Sequence, residues 1–524
     1  MKTIKIHFFF LNSLIKVKKN NFKIHIIGEG SEKIKLIRLK NKYNKKHIKI
    51  YGHINNPFER FHKKIDLFCL TSKFDGTPNV LGEAISYKIP CVAPRSVGSV
   101  DELLGNGRFG NIYEPKNEKK FINVVTKALD NYKQSKYLVL LFRILQNTCN
   151  WKDIPKIAEM LDHHIGDGTE HPFLNISRYD NEESNYKVAL AWNSNHPKIA
   201  NKVSSPNEKI RLGYLCGEFR NHPTNHLIKN LFRFHDTSKF EIYIFSYNHD
   251  EASRISIENE VTEFVNLNDM DNINASKSIA DHNLDILIDL TIIISNNRQD
   301  IIHDRPAKKI ISYLGYPGTS GSNIYDYIIT DETVTPIVQQ KYYTEKFLYL
   351  PRSYQINDGE RMYKNKSLTV RQDHNLPESS IVLSCFNQSF KIEQTMFNCW
   401  IDILEQIPNS CLWLLEDNEI SKNNIYSYIK ETKIDRNRII FAPRVNRREH
   451  LDRLQHSNIC LDTRFYNGHT TTTDSIQSGV PVITMIGNHF ASRVSASLLM
   501  SIGLNELIVD SIPAYKALVI KLAS

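Results

Sequence analysis

The chain has 524 residues, 41% apolar and 24% charged, with a formal charge of +10. That length is too great for one core and implies two to four domains, and the composition excludes collagenous, low-complexity and disordered classes. The positive balance comes from lysines spread along the chain, densest in KVKKNNFK at 16–23. They lack the aromatic–basic interleaving of a single-strand binder, so no nucleic-acid partner is expected.

The opening MKTIKIHFFFLNSLI is broken by Lys and His and lacks a small-residue cleavage site. It reads as an amphipathic helix leading into strand FKIHIIG, not as a signal peptide. No stretch has the length of a membrane span, so no stable membrane insertion is expected. Residues 1–135 alternate strands such as HIKIYG, DLFCLTS and PCVAP with helices, the pattern of a parallel sheet. A helix over FINVVTKALDNYKQSKYLVLLFRILQ bridges to a second region beginning near 148. There CNWKDIPKIAEMLDHHI reads as helix, and TEHPFLNISRYDNEESNYKVALAW and NSNHPKIANKVSSPNEK read as an irregular lead-in.

A second α/β series (IRLGYL to KFLYLPR) fills 148–365 and a third (IVLSCFN to PVITMI) fills 366–524. The predicted class is α/β, two Rossmann-like halves preceded by a lone half at 1–135. The eight cysteines, at 69, 91, 149, 216, 385, 399, 411 and 460, form no CxxC and several lie in apolar runs. They predict reduced buried thiols in a cytoplasmic protein rather than a disulfide frame or zinc site.

One peptide design occurs twice. Residues 47–93 lie over 438–484 without a gap, at a constant offset of 391. Cys69 falls on Cys460, Pro90 on Pro481, and Glu83 on Asp474. Each copy reads strand, helix, strand, polar loop, helix with one carboxylate, then strand. That unit can hold a nucleotide: helix-start amides face a diphosphate, and the carboxylate one to two turns in reaches ribose hydroxyls.

Five segments hold candidate chemistry. NGHTTTTD at 467–474 places His469, Thr470 and Thr471 at a helix start, where free N–H groups and the positive dipole end favour an anion. An N-cap needs one threonine, not four behind NGH, so phosphate binding is favoured. FNQSFKI at 386–392 puts Gln388 and Lys391 at the carboxyl end of a strand, where open α/β sheets bind ligands. Lys391 there serves either a leaving diphosphate or a solvated helix cap, and the cap is the better reading of the motif alone.

RVNRREHLDR at 444–453 gives Arg447, His450 and Arg453 one helix face, which flanks a base and phosphate or faces solvent. In EFRNHPTNHL at 218–227, Pro223 suits a first helical turn. His222 then sits at the loop–helix junction, as a bond to or base for a hydroxyl, or as a structural cap. LGYPGTSG at 314–321 permits close backbone approach or a simple turn. Asp269 and Asp271 have the spacing of a metal pair but lie in a polar stretch off any strand end. A surface turn is expected, and no metal is assigned.

Together these segments resemble a known family. Residues 148–524 resemble the catalytic region of the O-GlcNAc transferases of glycosyltransferase family 41, bacterial members above all. RLGYLCGEFRNHPTNHL, ISYLGYPGTSGSNIYDYIITDETVTP, CFNQSFKI, RIIFAPRVNRREHLDRLQHSNICLDT and NGHTTTTDSIQSGVPVITMIGNHFASRVSASLL carry the likeness, in the family's order. The resemblance implies a GT-B fold with UDP-GlcNAc between two Rossmann-like halves. It also implies inverting transfer of GlcNAc to Ser or Thr of proteins, with no metal or other cofactor.

By position, Lys391 resembles the lysine that stabilises leaving UDP and Gln388 the glutamine at the phosphates. His469, Thr470 and Thr471 resemble the diphosphate turn, Asp474 the ribose-binding acid, and Arg447, His450 and Arg453 the uridine-contacting group. His222 matches a histidine near the sugar whose role as base is disputed.

Residues 21–130 separately resemble the C-terminal half of family 4 glycosyltransferases, through IIGEGSEK and SKFDGTPNVLGEAISYKIPCVAP. Asp75 and Glu83 take the place of that family's two glutamates and mark a second candidate nucleotide-sugar site. The partner half and the upstream basic residues are missing, so an active family 4 enzyme is not expected. Ile292, Ile293 and Ile294 stand where bacterial family 41 members often carry GHT. The tetratricopeptide array that recruits acceptors is not in the sequence. The chain stops at KALVIKLAS, before the family's closing helices, so exposed apolar surface on the last domain is expected. The leading expectation is a cytoplasmic UDP-GlcNAc-dependent protein O-glycosyltransferase, its partners a UDP-sugar and an acceptor protein. The alternatives are transfer to a glycan or lipid precursor, or an inactive nucleotide-sugar-binding protein.

Overall fold

A computed structural model describes residues 135–193 (save 167 and 169), 207–359 (save 295 and 296) and 367–524, with short stretches between 24 and 124. The chain forms two compact units, 1–145 with 156–161, and 146–155 with 162–524. In the first, β1 (Ile24–Ile26) pairs parallel with β2 (Ile48–Ile50) around α1 (Lys33–Lys42). The strands β3 (Phe68–Cys69), β4 (Cys91–Pro94) and β5 (Asn111–Tyr113) make a second parallel sheet. All four side chains of β4 are buried, as parallel strands covered on both faces require. The opening residues 1–23, with their basic cluster, lie outside the described residues. Helix α2 (Ser135–Asn147) follows, then α3 (Ile154–Asp162).

The lead-in expected to be irregular is partly helical. Pro172 starts α4 (Pro172–Ile176), where His171 Nδ1 accepts from the Phe173 amide, and Asn181 caps α5 (Glu182–Trp192) by accepting from the Ser184 amide. Between them Arg178, buried, donates to Glu170 at 2.6 Å and to Asp162 at 2.8 Å. The polarity that suggests a loop thus serves caps and a buried ion pair.

The first half of the second unit carries β6 (Ile210–Cys216), α6 (Pro223–Ile228), β7 (Phe240–Ser246), α7 (Glu251–Glu258), β8 (Glu263–Asn266) and α8 (Asn272–Asp281). It continues through β9 (Ile286–Asp289), β10 (Lys309–Ser312), β11 (Tyr327–Thr330) and β12 (Lys346–Tyr349). Its sheet runs β12-β11-β10-β9-β6-β7-β8, every pair parallel.

The second half carries β13 (Ile381–Cys385), α9 (Gln394–Gln406), β14 (Ser410–Leu415), α10 (Glu419–Ile429), β15 (Ile439–Ala442) and α11 (Arg447–Leu454). It ends with β16 (Ile459–Leu461), α12 (Thr470–Gln477), β17 (Val482–Met485), α13 (Val494–Ser501), β18 (Ile508–Val509) and α14 (Ile512–Ala523). Its sheet runs β15-β14-β13-β16-β17-β18, also parallel. In both sheets the chain starts in the middle, builds to one edge, then crosses back and builds to the other. The strand order therefore reverses between β6 and β9, and between β13 and β16, the crevices where such sheets take ligands.

The repeat is visible in the strands. β2, β3 and β4 begin at Ile48, Phe68 and Cys91, and β15, β16 and β17 at Ile439, Ile459 and Val482, the same offset each time. The pairing differs by one residue: Phe68 faces Cys91, whereas Cys460 faces Val482.

The core of the second half gathers Phe397, Trp400, Leu412 and Ile439, and α14 closes it with buried Tyr515 and Val519. Met500, Ile502 and Leu522 are exposed in this half. Trp151 enters the same core from a much earlier point in the chain, donating to the Ile392 carbonyl at 3.0 Å and lying against Phe397 and Tyr428. Loops from both sheets share a further cluster: Ile292 and Ile293 after β9 and Tyr316 after β10 pack with Tyr466 after β16 and with Ala491 after β17. Among the described residues no helix is long and apolar enough to cross a membrane.

Candidate active site

The crevice between β13 and β16 holds the main constellation. Beyond Cys385 the chain turns through a single 3-10 turn, Ser389–Lys391, which lifts Lys391 back over the strand ends. Its ammonium donates to the Asn467 carbonyl at 2.8 Å and to Asn387 Oδ1 at 3.4 Å, and lies 4.4 Å from the Tyr466 ring centroid. Burial pushes the Lys391 ammonium down to about 8, while the Asp462 carboxylate pulls the other way. Gln388, exposed, opens the same turn.

Beyond β16 the loop 462–469 leads into α12, with His469 at its N-cap and stacked on Tyr466 at 4.8 Å. Burial and the Lys391 charge keep His469 neutral, well below the usual histidine range. The threonines divide their work. Thr471 donates to Asn387 Oδ1 at 2.8 Å, Thr472 meets Ser495 at 2.7 Å, and Thr473 accepts from Gln355 at 2.6 Å. Thr470 opens the helix, partly exposed. A Cβ at Gly468 would lie 2.4 Å from Thr472 Oγ1 and 2.6 Å from Thr471 Oγ1, so only glycine fits under this turn. The outcome is an ammonium and helix-start amides at one place, tied together by the Thr471 hydroxyl, an arrangement that receives an anion.

One turn into α12, Asp474 is buried and pushed up to about 6 by that burial, against the pull of Arg447. Arg447, at the start of α11, reaches Asp474 at 3.3 Å and Asp358 at 3.1 Å. His450 and Arg453 lie further along the helix, against Phe386, with ring centroids 5.0 Å apart for His450 and the guanidinium 4.6 Å from the ring centre for Arg453.

Arg453 departs from the expectation that all three side chains flank a ligand. It is buried, donating to the Pro443 carbonyl at 2.6 Å and to His450 Nδ1 at 3.2 Å, so it acts as a strut for the histidine. With Nδ1 accepting, neutral His450, pushed down to about 3 by burial, carries its proton on Nε2.

In the β6–β9 crevice His222 caps α6. Its Nδ1 accepts from the Thr224 amide at 3.2 Å, and burial together with Arg220 pushes it down to about 4. A neutral ring whose Nδ1 accepts holds its proton on Nε2. Nε2 is therefore a hydrogen-bond donor, the opposite of a base.

The three isoleucines after β9 turn inward: Ile292 and Ile293 are buried, and Ile292 takes φ +57°. A β-branched residue there is strained by about 1–3 kcal/mol. Asp289 holds the turn, accepting from the Thr291 and Ile292 amides and from the Tyr325 hydroxyl. In the glycine-rich loop a Cβ at Gly315 would lie 2.2 Å from the Leu290 carbonyl oxygen, so the loop is held by close packing with the β9 turn. Asp271 caps α8 by accepting from Asn274, and with Asp269 it forms the surface turn expected.

Sequence reasoning passed over Asn387, Asp462, Tyr466 and Asp358. Asn387 and Asp462 sit inside the quoted motifs, Tyr466 falls in the gap between two of them, and Asp358 lies in the connection between halves, where no motif points. Glu83 is exposed. Asp75 lies outside the described residues, so the structure draws no second site around the pair.

The two facing crevices on parallel sheets define a GT-B glycosyltransferase. Residues 187–369 and 355–524 match glycosyl transferase family 41, and the chain belongs to that family. Residues 5–139 match the glycosyl transferases group 1, in keeping with the N-terminal likeness read from the sequence. An Arabidopsis thaliana protein named as a probable UDP-N-acetylglucosamine–peptide N-acetylglucosaminyltransferase SEC is 34% identical over 327 residues, 60% of this chain and 33% of that protein. A Caenorhabditis elegans UDP-N-acetylglucosamine–peptide N-acetylglucosaminyltransferase is 27% identical over 430 residues, 60% of this chain and 37% of the relative. The chain thus spans about a third of the length of these relatives. Among solved structures, a mutant of the Thermobaculum terrenum O-GlcNAc transferase superposes with a TM-score of 0.65 at 20% identity, covering 85% of this chain and 84% of that one, a shared fold.

Proposed function

We propose that this protein transfers N-acetylglucosamine from UDP-GlcNAc to a serine or threonine hydroxyl of an acceptor protein, with inversion and without a metal. The observation that carries the reading is the meeting of Lys391, Thr471 and the start of α12 at the strand-order reversal of the second half. The diphosphate would lie at the helix start, with Lys391 on the leaving oxygen, where developing charge rewards a fixed ammonium. Asp474 would take the ribose hydroxyls and His450 the base. His222 would donate Nε2–H to a phosphate or sugar oxygen.

Support comes from family membership and from the names of the relatives, both N-acetylglucosaminyltransferases acting on peptide. The eight cysteines are unbridged thiols, in keeping with a cytoplasmic location. The test is UDP binding by titration calorimetry, followed by mass spectrometry of candidate acceptors incubated with UDP-GlcNAc. Absence of UDP uptake by folded protein removes this function. Uptake with glycan or lipid acceptors modified, and proteins untouched, moves the activity to those acceptors.

A further inference from the structure

Beneath the anion-receiving turn lies a buried polar pair. Asn387 and Asp462, 4% and 1% exposed, leave the ends of the adjacent strands β13 and β16. Asp462 Oδ1 accepts from the Thr463 amide at 2.8 Å, the Gly468 amide at 2.6 Å and Asn387 Nδ2 at 3.3 Å, and its Oδ2 accepts from Thr484 Oγ1 at 2.7 Å. Asn387 Nδ2 also donates to Thr463 Oγ1 at 3.1 Å. Its Oδ1 faces the other way, accepting from Lys391 Nζ at 3.4 Å and from Thr471 Oγ1 at 2.8 Å.

The chemistry of the neighbours fixes the orientation of this amide. Reversal would set NH2 against an ammonium and a carbonyl oxygen against a carboxylate. Only an amide is a donor on one side and an acceptor on the other at this size. Aspartate would bring two carboxylates together, and an apolar residue would leave a buried acid and a buried ammonium short of partners. The charged and titratable groups acting on Lys391 are Asp462 and the Cys385 thiol, and Lys391 in turn acts on His469.

We propose that Asn387, oriented by the buried carboxylate of Asp462, is a positioning residue: its amide oxygen holds the Lys391 ammonium and, through the Thr471 hydroxyl, the start of α12 in one fixed arrangement before any donor arrives. This rests on the reading of Lys391 and the start of α12 as the diphosphate contacts. Such preorganisation removes the reorganisation cost at the moment charge develops.

The test uses the full chain with Asn387→Ala and Asp462→Asn, the latter isosteric and informative should the former fail to fold. Competitive acetylation with acetic anhydride across pH, read at Lys391 by mass spectrometry, is done without UDP. Lys391 should titrate near about 8 in the native protein and lower in both variants, with other lysines unmoved. UDP-GlcNAc turnover should fall about tenfold or more in kcat while KM moves less than about threefold. Added to Lys391→Ala, Asn387→Ala should cost nothing further in kcat. Unmoved Lys391 titration, or a loss that adds in full to Lys391→Ala, overturns the positioning role. A native protein that neither binds UDP nor consumes donor sinks the proposed function instead, and the donor-free labelling still decides whether Asn387 and Asp462 hold Lys391.

Discussion

Arg447 bridges two buried carboxylates, its Nη2 3.3 Å from Asp474 Oδ1 and its Nη1 3.1 Å from Asp358 Oδ2. Lys229 also reaches Asp358, at 3.6 Å, whereas at Asp474 burial outweighs the pull of Arg447 and pushes the acid from its ordinary 3.8 to about 6. An acid raised in the folded state contributes stability below its unfolded value and loses it as pH climbs through the folded one. The loss therefore falls between about pH 4 and pH 6. Asp474→Asn should stabilise the protein at pH 7 by about 1–3 kcal/mol and do nothing at pH 4, while weakening UDP binding. Thermal melts at the two pH values check this, and an equal gain at both would refute the origin assigned to it.

Lys391→Met should behave as a trade between stability and turnover. The ammonium is held in a site that lowers its proton affinity, so folding carries a cost while it is charged, and the cost fades as pH rises through about 8 towards 10.5. The variant should melt higher at pH 7, by about 1–3 kcal/mol, and lose about 100-fold or more in kcat. UDP affinity should change much less. Equal losses in kcat and UDP affinity would show that Lys391 binds without stabilising the transition state.

Gly468→Ala places a methyl group against Thr471 and Thr472, whose hydroxyls are already committed to Asn387 and Ser495. Neither can rotate without breaking a buried bond, so the turn must open. UDP affinity should fall about tenfold or more, for a cost in stability of about 1–3 kcal/mol. Calorimetry with UDP alone reads this; unchanged affinity would mean that the turn lies away from the ligand.

His222 should contribute no inflection to the rate–pH profile above pH 5, because it is already neutral there. His222→Asn, which keeps an N-cap acceptor, should hold the melting temperature and lower turnover. His222→Ala should lower both, the first by about 1 kcal/mol in stability. A variant with full turnover but a shifted melt would make the residue a cap and nothing more.

The parallel sheets were readable because strands covered on both faces are apolar runs separated by helical periods, as in β6, β13 and β16. The placement of Lys391 and His469 was readable because each lies in the loop that follows such a run, and that of Asp474 because it lies one turn into the helix that loop opens. Arg453 was not, since a charged helix face looks the same whether it meets solvent or, as here, a buried carbonyl and an aromatic ring. α4 and α5 were hidden because Asn181 and His171 serve as caps, and cap residues read as loop. Asn387 and Asp462 sat in quoted motifs, but their meaning depends on β13 and β16 being neighbours, which adjacency in sequence does not reveal.

Trp151 completes the core of a layer whose remaining parts begin some 240 positions later, as its bond to the Ile392 carbonyl shows. Asn418 and Asn424 donate to the Asn147 and Thr148 carbonyls and fasten the same strip. During synthesis this strip leaves the ribosome long before its receptor exists, so closure of a very long loop must precede full consolidation of the last layer. A fragment beginning at 367 would be born with an indole-sized void, and a peptide spanning 146–155 supplied in trans is the piece that would fill it.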